Sequence, residues 1–166
     1  MNIEPIGGIA HVYGDNIDTD RIIPGKYTKT LDTAILAAHV LEDLDPAFAR
    51  TVRPGDLLVA GYNFGCGSSR EQAPLAIKAA GVAAVIARSF ARIFYRNAIN
   101  IGLPVVEVED HAIQPGDRVS VDLAAGIVIN HTRDETYHAA AMPPQMVAIL
   151  AAGGLVHYLL RYGDYV

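Results

Sequence analysis

Two hydroxyl groups and a guanidinium stand side by side in the middle of the chain, as Ser68, Ser69 and Arg70. They follow a glycine-rich run, so that residues 61–71 read Gly-Tyr-Asn-Phe-Gly-Cys-Gly-Ser-Ser-Arg-Glu. The Ala-rich segment 72–80 predicts a helix, which places the two serines at a helix start. Backbone N–H groups at a helix start lack partners and carry partial positive charge, and they therefore favour a carboxylate or a phosphate.

Two interpretations of this segment are open at the level of residue types. In the first, one of the serines only caps the helix, with Glu71 as its partner in a capping box. In the second, the segment binds an anion, because the planar guanidinium of Arg70 suits a carboxylate. Gly65 and Gly67 favour the second interpretation, since a simple cap does not need the close backbone approach that glycine permits.

The glycine pattern fits neither of the common nucleotide-binding templates. Counted from Gly61, a P-loop requires Gly and Lys at the positions where Cys66 and Gly67 stand. Counted from Gly65, the dinucleotide pattern requires a small residue at the position of Arg70. The sequence therefore argues against a nucleotide as the anion that this loop binds.

Cys66 is the only cysteine of the sequence, and the six histidines form no metal-binding pair. One cysteine forms no internal disulfide and by itself ligates neither zinc nor an iron–sulfur cluster, so we expect no metal on this chain. The thiol is either a nucleophile activated by the helix start, as in a cysteine-dependent hydrolase with a distant His, or a small buried side chain. The buried role is the commoner of the two.

The composition predicts one domain that binds neither nucleic acid nor membranes. The chain has 166 residues, of which 51% are hydrophobic, and this is enough to form the core of a single domain over residues 1–166. A net charge of −5 and the lack of a Lys/Arg run argue against nucleic acid and anionic membranes. The sequence shows no secretory signal and no apolar stretch of about 18 residues, so we expect a cytoplasmic protein.

A second polar segment lies near the start of the chain. Several carboxylates surround Thr19 within residues 15–20, which resembles the start of a calcium-binding loop, but Arg21 replaces the glycine that such a loop requires. Carboxylates of this kind usually cap turns. Lys26 and Lys29 add positive charge shortly afterwards. We expect this segment to face the serines.

Apolar strands and Ala-rich helices alternate along the chain, which predicts an α/β domain. Parallel strand–helix units are expected over residues 57–108, with strands at 57–60, 83–87 and 104–108 and helices at 72–80 and 90–101. In such units the loops at the carboxyl ends of the strands carry any site. Outside these units we expect a strand at 9–13, helices within 31–50, a hairpin of 118–123 with 127–130, and a C-terminal helix over 143–161 that is broken at Gly153-Gly154.

Two stretches of the sequence together resemble one protein family. Residues 18–24 read Asp-Thr-Asp-Arg-Ile-Ile-Pro, and residues 61–71 are followed by Ala-Arg-Ser-Phe-Ala-Arg-Ile-Phe-Tyr-Arg-Asn at 87–97. Both closely resemble the small subunits of 3-isopropylmalate dehydratases, which are similar to the swivel domain of aconitase. The resemblance runs from about residue 9 to residue 160. It implies a three-layer swivelling β/β/α domain of the aconitase C-terminal type.

The resemblance also implies a function. It implies one subunit of a heteromeric hydro-lyase that converts 2-isopropylmalate into 3-isopropylmalate by dehydration and rehydration, through 2-isopropylmaleate. The [4Fe–4S] cluster of this chemistry would lie on a separate large subunit, which agrees with the single cysteine here. The pathway implied is leucine biosynthesis, a branched-chain amino acid pathway.

We call residues 61–71 the serine loop, and roles for its residues follow from the same resemblance. Ser68 would be the catalytic base that removes the proton from carbon and returns it. Ser69 and Arg70 would hold a carboxylate of the substrate. Gly65 and Gly67 would support the conformation of the loop.

The facing wall would come from the N-terminal polar segment. By resemblance, Thr19 and Asp20 would line it, and Lys26 or Lys29 would stand in place of a downstream arginine that binds substrate in aconitase. The segment 25–30 would meet the third branch of the substrate, so that an apolar wall favours an isopropyl group and Lys29 favours a carboxylate. A hydrophobic pocket discriminates by only about 1–3 kcal/mol per methylene, which leaves a broad range of substrates.

The chemistry of the serine loop requires a partner. A helix N-terminus stabilises a negative charge by at most about 2 kcal/mol, which lowers the pKa of a serine hydroxyl by only about 1.5. We therefore expect the isolated chain to be inactive. Alternatives are the same chemistry on homoaconitate, methylmalate or dimethylmalate, and a noncatalytic binding or regulatory subunit.

Overall fold

The computed structural model of the chain describes residues 5–163, and seven strands within this range form one mixed sheet. The strands are β1 (Ile6–Val12), β2 (Leu57–Ala60), β3 (Ala84–Ala87), β4 (Val105–Glu107), β5 (Arg118–Asp122), β6 (Ile127–Asn130) and β7 (Glu135–His138). Their order across the sheet is β4-β3-β2-β1-β5-β6-β7. The helices are α1 (Thr19–Ile22), α2 (Thr33–His39), α3 (Phe48–Thr51), α4 (Gln72–Ala79), α5 (Arg92–Asn100), α6 (Pro144–Ala152) and α7 (Leu155–Tyr162).

The parallel half of the sheet contains β1, β2, β3 and β4. Every residue of β2 and β3 is buried, because helices cover parallel strands on both faces. Helix α4 connects β2 to β3, and α5 connects β3 to β4. The predicted strand–helix units over residues 57–108 are therefore present, and the loops that follow β1, β2 and β3 meet at one edge of the sheet.

Strand β1 joins the two halves of the sheet. Residues 10–12 pair in parallel with β2, whereas residues 6–9 pair in antiparallel fashion with β5. The strand begins earlier than the predicted residue 9, because Gly7 and Gly8 continue the ladder opposite Ser120 and Val119. A side chain at Gly8 would overlap the carbonyl of Gly55, so only glycine fits where the backbones approach.

Strands β2 and β5, which lie on either side of β1 in the sheet, are each preceded by a turn of the same sequence type. The turns 53–56 and 114–117 both contain Pro-Gly-Asp, and β2 and β5 begin one residue after them. In each turn the aspartate carboxylate accepts a hydrogen bond from the backbone N–H three residues earlier, at 3.0 Å for Asp56 and 2.8 Å for Asp117. The proline and the glycine with positive φ are typical of type II turns.

Several short elements differ from the sequence prediction. Helix α1 and a 3-10 turn at Gly25–Tyr27 lie between the predicted strand at 9–13 and the predicted helices within 31–50, where the sequence predicted no helix. Strand β7 was not predicted, because alternate residues of this edge strand are exposed and polar. The hairpin of β5 and β6 and the break between α6 and α7 at Gly153 and Gly154 are confirmed.

An aromatic cluster fixes the serine loop to helix α5. Phe64 of the loop is fully buried, and its ring meets the rings of Phe90 and Phe94 edge to face, with centroids 6.0 and 5.2 Å apart. Buried aromatic pairs of this geometry contribute about 0.5–1.5 kcal/mol beyond area burial. The loop and the first turn of α5 therefore pack directly against each other. No helix within residues 5–163 is long and apolar enough to span a membrane.

Candidate functional site

The three loops at the carboxyl edge of the parallel strands pair with one another beyond the ends of the strands. Isolated parallel bridges join Asp18 to Cys66 and Phe64 to Phe90. The segment after β1 therefore lies on one side of the serine loop, and the segment after β3 lies on the other. This is the edge at which α/β sheets place ligands.

Two glycines give the serine loop its path. Gly65 has φ +82°, and a side chain there would collide with Phe94. Gly67 has φ +93° and lies against Asp18 and Thr19, although a methyl group would find ordinary contacts at 3.5 Å. Both positions need a left-handed backbone, which costs a non-glycine residue about 1–2 kcal/mol. Their geometry agrees with the predicted support of the loop.

The prediction that the serines lie at a helix start is wrong. Helix α4 begins at Gln72, its N-cap is Glu71, and no side chain caps it. The capping interpretation fails for the same reason. The cause is tertiary, because the carbonyl of Ser68 accepts a hydrogen bond from Thr19 Oγ1 at 3.0 Å, which holds the backbone of the serines against the neighbouring segment.

The N-terminal polar segment faces the serine loop, as expected. The N–H of Thr19 donates to the carbonyl of Cys66 at 2.9 Å, and the N–H of Gly65 donates to the carbonyl of Ile17 at 2.8 Å. Asp18 caps α1 by accepting a hydrogen bond from the N–H of Arg21, so this carboxylate has a structural role. Thr19 itself is buried and touches the back of the loop.

Arg70 and Asp20 form an ion pair across the two segments. The guanidinium is mostly shielded, with 22% of the side chain exposed, whereas 66% of the Asp20 side chain is exposed. Gly25 lies beside this pair, because a side chain there would lie 3.7 Å from the terminal nitrogens of Arg70. The predicted carboxylate-binding group thus contacts a carboxylate of this chain.

A cavity of about 320 Å³ opens between the serine loop and helix α5. The loop, the segment after β1 and the first turns of α5 line it, with Thr19, Gly65, Gly67, Ser68, Ser69, Arg70, Ala91, Arg92, Ile93, Phe94 and Asn97. The hydroxyls of Ser68 and Ser69 are exposed and make no hydrogen bond with any of residues 5–163. The cavity therefore brings together Thr19 and the three predicted residues of the serine loop.

The positive end of a helix does border this cavity, but it belongs to α5 rather than α4. The N-cap of α5 is Ala91, no side chain caps it, and its first turn lines the cavity. Arg92 and Asn97 of this helix were not assigned a role from the sequence. The signal available was topological, since both follow β3 in the parallel unit next to the serine loop.

The two predicted lysines do not line the cavity. The ammonium of Lys26 lies 5.2 Å from the ring of its neighbour Tyr27, and Lys29 is exposed. Their segment is tied down nearby, because Gln72 Nε2 donates to the carbonyl of Thr28 at 2.8 Å and Tyr27 stacks on His39. A substrate-binding role for either lysine stays a prediction.

The thiol of Cys66 lies within the serine loop. Burial and then the negative charge of Asp18 raise the pKa of this thiol above its ordinary value. A raised pKa disfavours the thiolate, which is the nucleophilic form, so the local electrostatics argue against a cysteine-dependent hydrolase. In the part of the chain that the structure describes, no three His, Cys, Asp or Glu residues are grouped so as to hold a metal ion, and a lone thiol does not fit an iron–sulfur cluster.

Comparisons with known proteins show the family of this chain. The aconitase C-terminal domain family matches residues 7–111. The 3-isopropylmalate dehydratase small subunit of Moorella thermoacetica is 58% identical over 158 residues, which cover 94% of this chain and 95% of the relative. The 2,3-dimethylmalate dehydratase small subunit of Eubacterium barkeri is 53% identical over 149 residues, which cover 89% of this chain and 91% of the relative.

A solved structure extends the similarity to the fold. The crystal structure of 3-isopropylmalate dehydratase from Methanocaldococcus jannaschii superimposes with a TM-score of 0.91 at 48% identity, and the match covers 96% of each chain. The predicted α/β domain of the aconitase C-terminal type is therefore confirmed. The chain belongs to the aconitase C-terminal domain family and, within it, to the 3-isopropylmalate dehydratase small subunits.

Proposed function

We propose that this chain is the small subunit of a heteromeric hydro-lyase that isomerises 2-isopropylmalate to 3-isopropylmalate. The observation that carries the proposal is the cavity in which Ser68, Ser69, Arg70 and Thr19 meet at the carboxyl edge of the parallel strands. Relatives that cover nearly the whole chain bear the matching name. The reaction would belong to leucine biosynthesis in the cytoplasm.

The proposed reaction exchanges a hydrogen and a hydroxyl between two adjacent carbons. Dehydration removes a proton from one carbon and the hydroxyl from its neighbour, which gives 2-isopropylmaleate and water. Rehydration adds the proton to the carbon that had carried the hydroxyl, and the oxygen of water to the other carbon. Each of the two adjacent carbons carries a carboxylate throughout, so the site must hold a dianion while one proton moves.

Ser68 is the residue in this chain that we assign to the proton. Its Oγ, once deprotonated, takes the proton from carbon and later returns it, while Ser69 and Arg70 bind a carboxylate. The Asp20 carboxylate beside Arg70 holds the guanidinium in place before substrate arrives. General base catalysis by one positioned group typically contributes about 10²–10⁴-fold to the rate.

The cavity needs a second protein surface to become an active site. Ser68 and Ser69 are exposed, so water is not excluded from the reacting atoms. We therefore assign the [4Fe–4S] cluster to a large partner subunit that closes over this edge. The cluster supplies Lewis-acid chemistry at the departing hydroxyl, and the residues of this chain supply the proton transfer and the binding of a carboxylate.

Co-expression with a cluster-bearing large subunit tests the assignment of the base. We expect Ser68→Ala to lower kcat for 2-isopropylmalate by about 10²–10⁴-fold while the subunits still associate. The matched variant Cys66→Ala, two residues earlier in the same loop, should keep activity near wild type. Full activity of the Ser68→Ala complex would disprove the assignment, and loss of activity in Cys66→Ala alone would shift the role of the base to the thiol of Cys66.

A second substrate is favoured by one of the relatives. The chain is 53% identical to a protein named 2,3-dimethylmalate dehydratase small subunit, so the same base and loop fit a smaller branched hydroxy acid. A panel of 2-isopropylmalate, dimethylmalate, methylmalate and homoaconitate separates these candidates by kcat/KM. No turnover of any of them by the wild-type complex would favour a noncatalytic binding or regulatory subunit.

A further inference from the structure

The cavity beside the serine loop contains a second arginine. Arg92 is the first residue of helix α5, and it lies on the wall that the segment after β3 contributes. The two arginines of the cavity differ in their partners. Arg70 is paired with Asp20, whereas Arg92 makes no ion pair and no side-chain hydrogen bond with any of residues 5–163.

The charged side chains that line the cavity favour binding of an anion at Arg92. No Asp or Glu is among the residues that line it, and Arg70 and Arg92 are its charged side chains. Because Asp20 offsets the charge of Arg70, Arg92 is the charged residue lining this cavity that has no ion-pair partner within residues 5–163. A guanidinium forms bidentate hydrogen bonds with a carboxylate, and the uncapped first turn of α5 adds to the positive potential there.

We propose that Arg92 binds a carboxylate of the substrate and makes the site selective for dicarboxylates. The inference rests on the proposed function, since it assigns a residue to the same cavity. Arg70 and Ser69 hold one carboxylate at the serine loop, and Arg92 holds the other at the facing wall. The two anchors come from different strand–helix units, so together they fix the substrate carbon chain across the cavity in front of Ser68.

The same helix offers a matched control. Arg96 lies one turn after Arg92, is also exposed, and also makes no ion pair within the described residues. It lines a neighbouring cavity of about 680 Å³ between α5, β4 and α6, but it does not line the cavity beside the serines. Arg92 borders both cavities. Substitution of either arginine removes one positive charge from α5, but of the two only Arg92 lines the cavity beside Ser68, so a loss of carboxylate binding is expected for the Arg92 variant alone.

The test uses the wild-type complex with its large subunit and the variants Arg92→Gln, Arg92→Lys and Arg96→Gln. We expect Arg92→Gln to raise KM for 2-isopropylmalate by about 10- to 100-fold with kcat within about threefold, because an interaction made equally in ground and transition states affects KM. Arg92→Lys should restore part of the loss, since it keeps the charge without the planar fork. Arg96→Gln should match wild type.

A ligand-side comparison separates direct contact from a structural effect. The two half-amides of 2-isopropylmalate each lack one carboxylate charge, and calorimetric Kd values are measured for both with wild type and Arg92→Gln. If Arg92 contacts one carboxylate, the variant binds one half-amide as well as wild type does and binds the other about 10-fold or more weakly. Equal weakening of both, or a KM within about twofold of wild type, would overturn the inference.

The proposed function and this inference fail differently. If the wild-type complex does not turn over 2-isopropylmalate, the proposed function is wrong, and the Kd values still show whether Arg92 binds dicarboxylates in this cavity. If wild type is active and Arg92→Gln shows unchanged KM and Kd, only the inference is wrong. Thermal unfolding of each variant serves as the check that the fold is intact.

Discussion

At the scale of single residues, two glycines of the serine loop serve the same conformation under different constraints. Gly65 and Gly67 both have positive φ, but Gly65 also lies directly against the ring of Phe94. Gly67 has room for a methyl group beside Asp18 and Thr19. The backbone conformation is thus required at both positions, whereas the lack of a side chain is required only at Gly65.

This difference predicts unequal losses of stability. We expect Gly65→Ala to lower the free energy of unfolding by about 2–5 kcal/mol, because backbone strain and overlap with Phe94 add together. Gly67→Ala should cost about 1–2 kcal/mol from strain alone. Urea unfolding followed by circular dichroism measures both. A larger loss for Gly67→Ala than for Gly65→Ala would contradict this account of the loop.

At the scale of secondary structure, the two Pro-Gly-Asp turns hold the sheet around β1. Asp117 is buried and accepts hydrogen bonds from the N–H of Gln114, from Asn130 Nδ2 at 2.8 Å and from Arg133 Nε at 2.9 Å. The carbonyl of Asp117 also accepts a hydrogen bond from the N–H of Ala10 in β1. The turn therefore ties β6 to the start of β5 through the carboxylate of Asp117, and it ties both to the central strand through the backbone carbonyl of the same residue.

The ionisation of Asp117 makes the stability that this turn contributes depend on pH. Burial raises the pKa of Asp117, but its hydrogen bonds outweigh burial and hold the pKa below its ordinary value of 3.8. A carboxyl group with a lowered pKa in the folded state stabilises the fold above the ordinary pKa. This contribution is lost as the pH falls through the folded-state pKa.

We expect Asp117→Asn to lower the free energy of unfolding by about 2–4 kcal/mol at neutral pH, since the hydrogen bonds to a charged acceptor weaken. The further loss of stability below about pH 4 should be shallower than in wild type. Asp43→Asn is the matched control, because Asp43 is exposed and has no ion pair or side-chain hydrogen bond within residues 5–163. Urea titrations at several pH values measure both effects, and equal acid sensitivity of Asp117→Asn and wild type would argue against the assignment.

Elements with a strong local pattern were predictable from the sequence, and those set by contacts were not. The runs at 57–60 and 84–87 are apolar throughout, because both faces of these strands are buried. Strand β7 and helix α1 are short and polar; β7 is held by pairing with β6, and α1 by the hydrogen bond from the N–H of Thr19 to the distant carbonyl of Cys66. The same reason explains the site, since Ser68 to Arg70 are contiguous whereas Arg92 reaches the cavity only through the packing of α5.

At the scale of the whole molecule, the candidate site lies at an open edge. Ser68 and Ser69 are exposed, and Ile93, which lines the same cavity, is 54% exposed. Water therefore reaches these residues, whereas a closed active site excludes it. The assignment of residues 1–166 to a single domain stays a prediction. We expect a closed site to require a surface that residues 5–163 do not provide.

We therefore expect the purified chain to show no turnover of 2-isopropylmalate, and activity to appear on addition of the reconstituted large subunit. The rate should rise with the concentration of the large subunit until one partner is saturated. A coupled absorbance assay of 2-isopropylmaleate measures this, with the Ser68→Ala chain as the inactive control. Turnover by the chain alone would show that the site is complete without a partner.

The central position of β1 has a consequence for how the chain is made. Among the strands of residues 5–163 this one is synthesised first, but Ala10 pairs with Leu57 and Ile6 pairs with Val121. The edge of β1 that pairs with β2 therefore stays open until about a third of the chain has been synthesised, and the edge that pairs with β5 until about three quarters has been; open strand edges recruit other extended chains. The middle of the sheet is thus completed late, and we expect the open edge of β1 to be a site of aggregation while the chain is being synthesised.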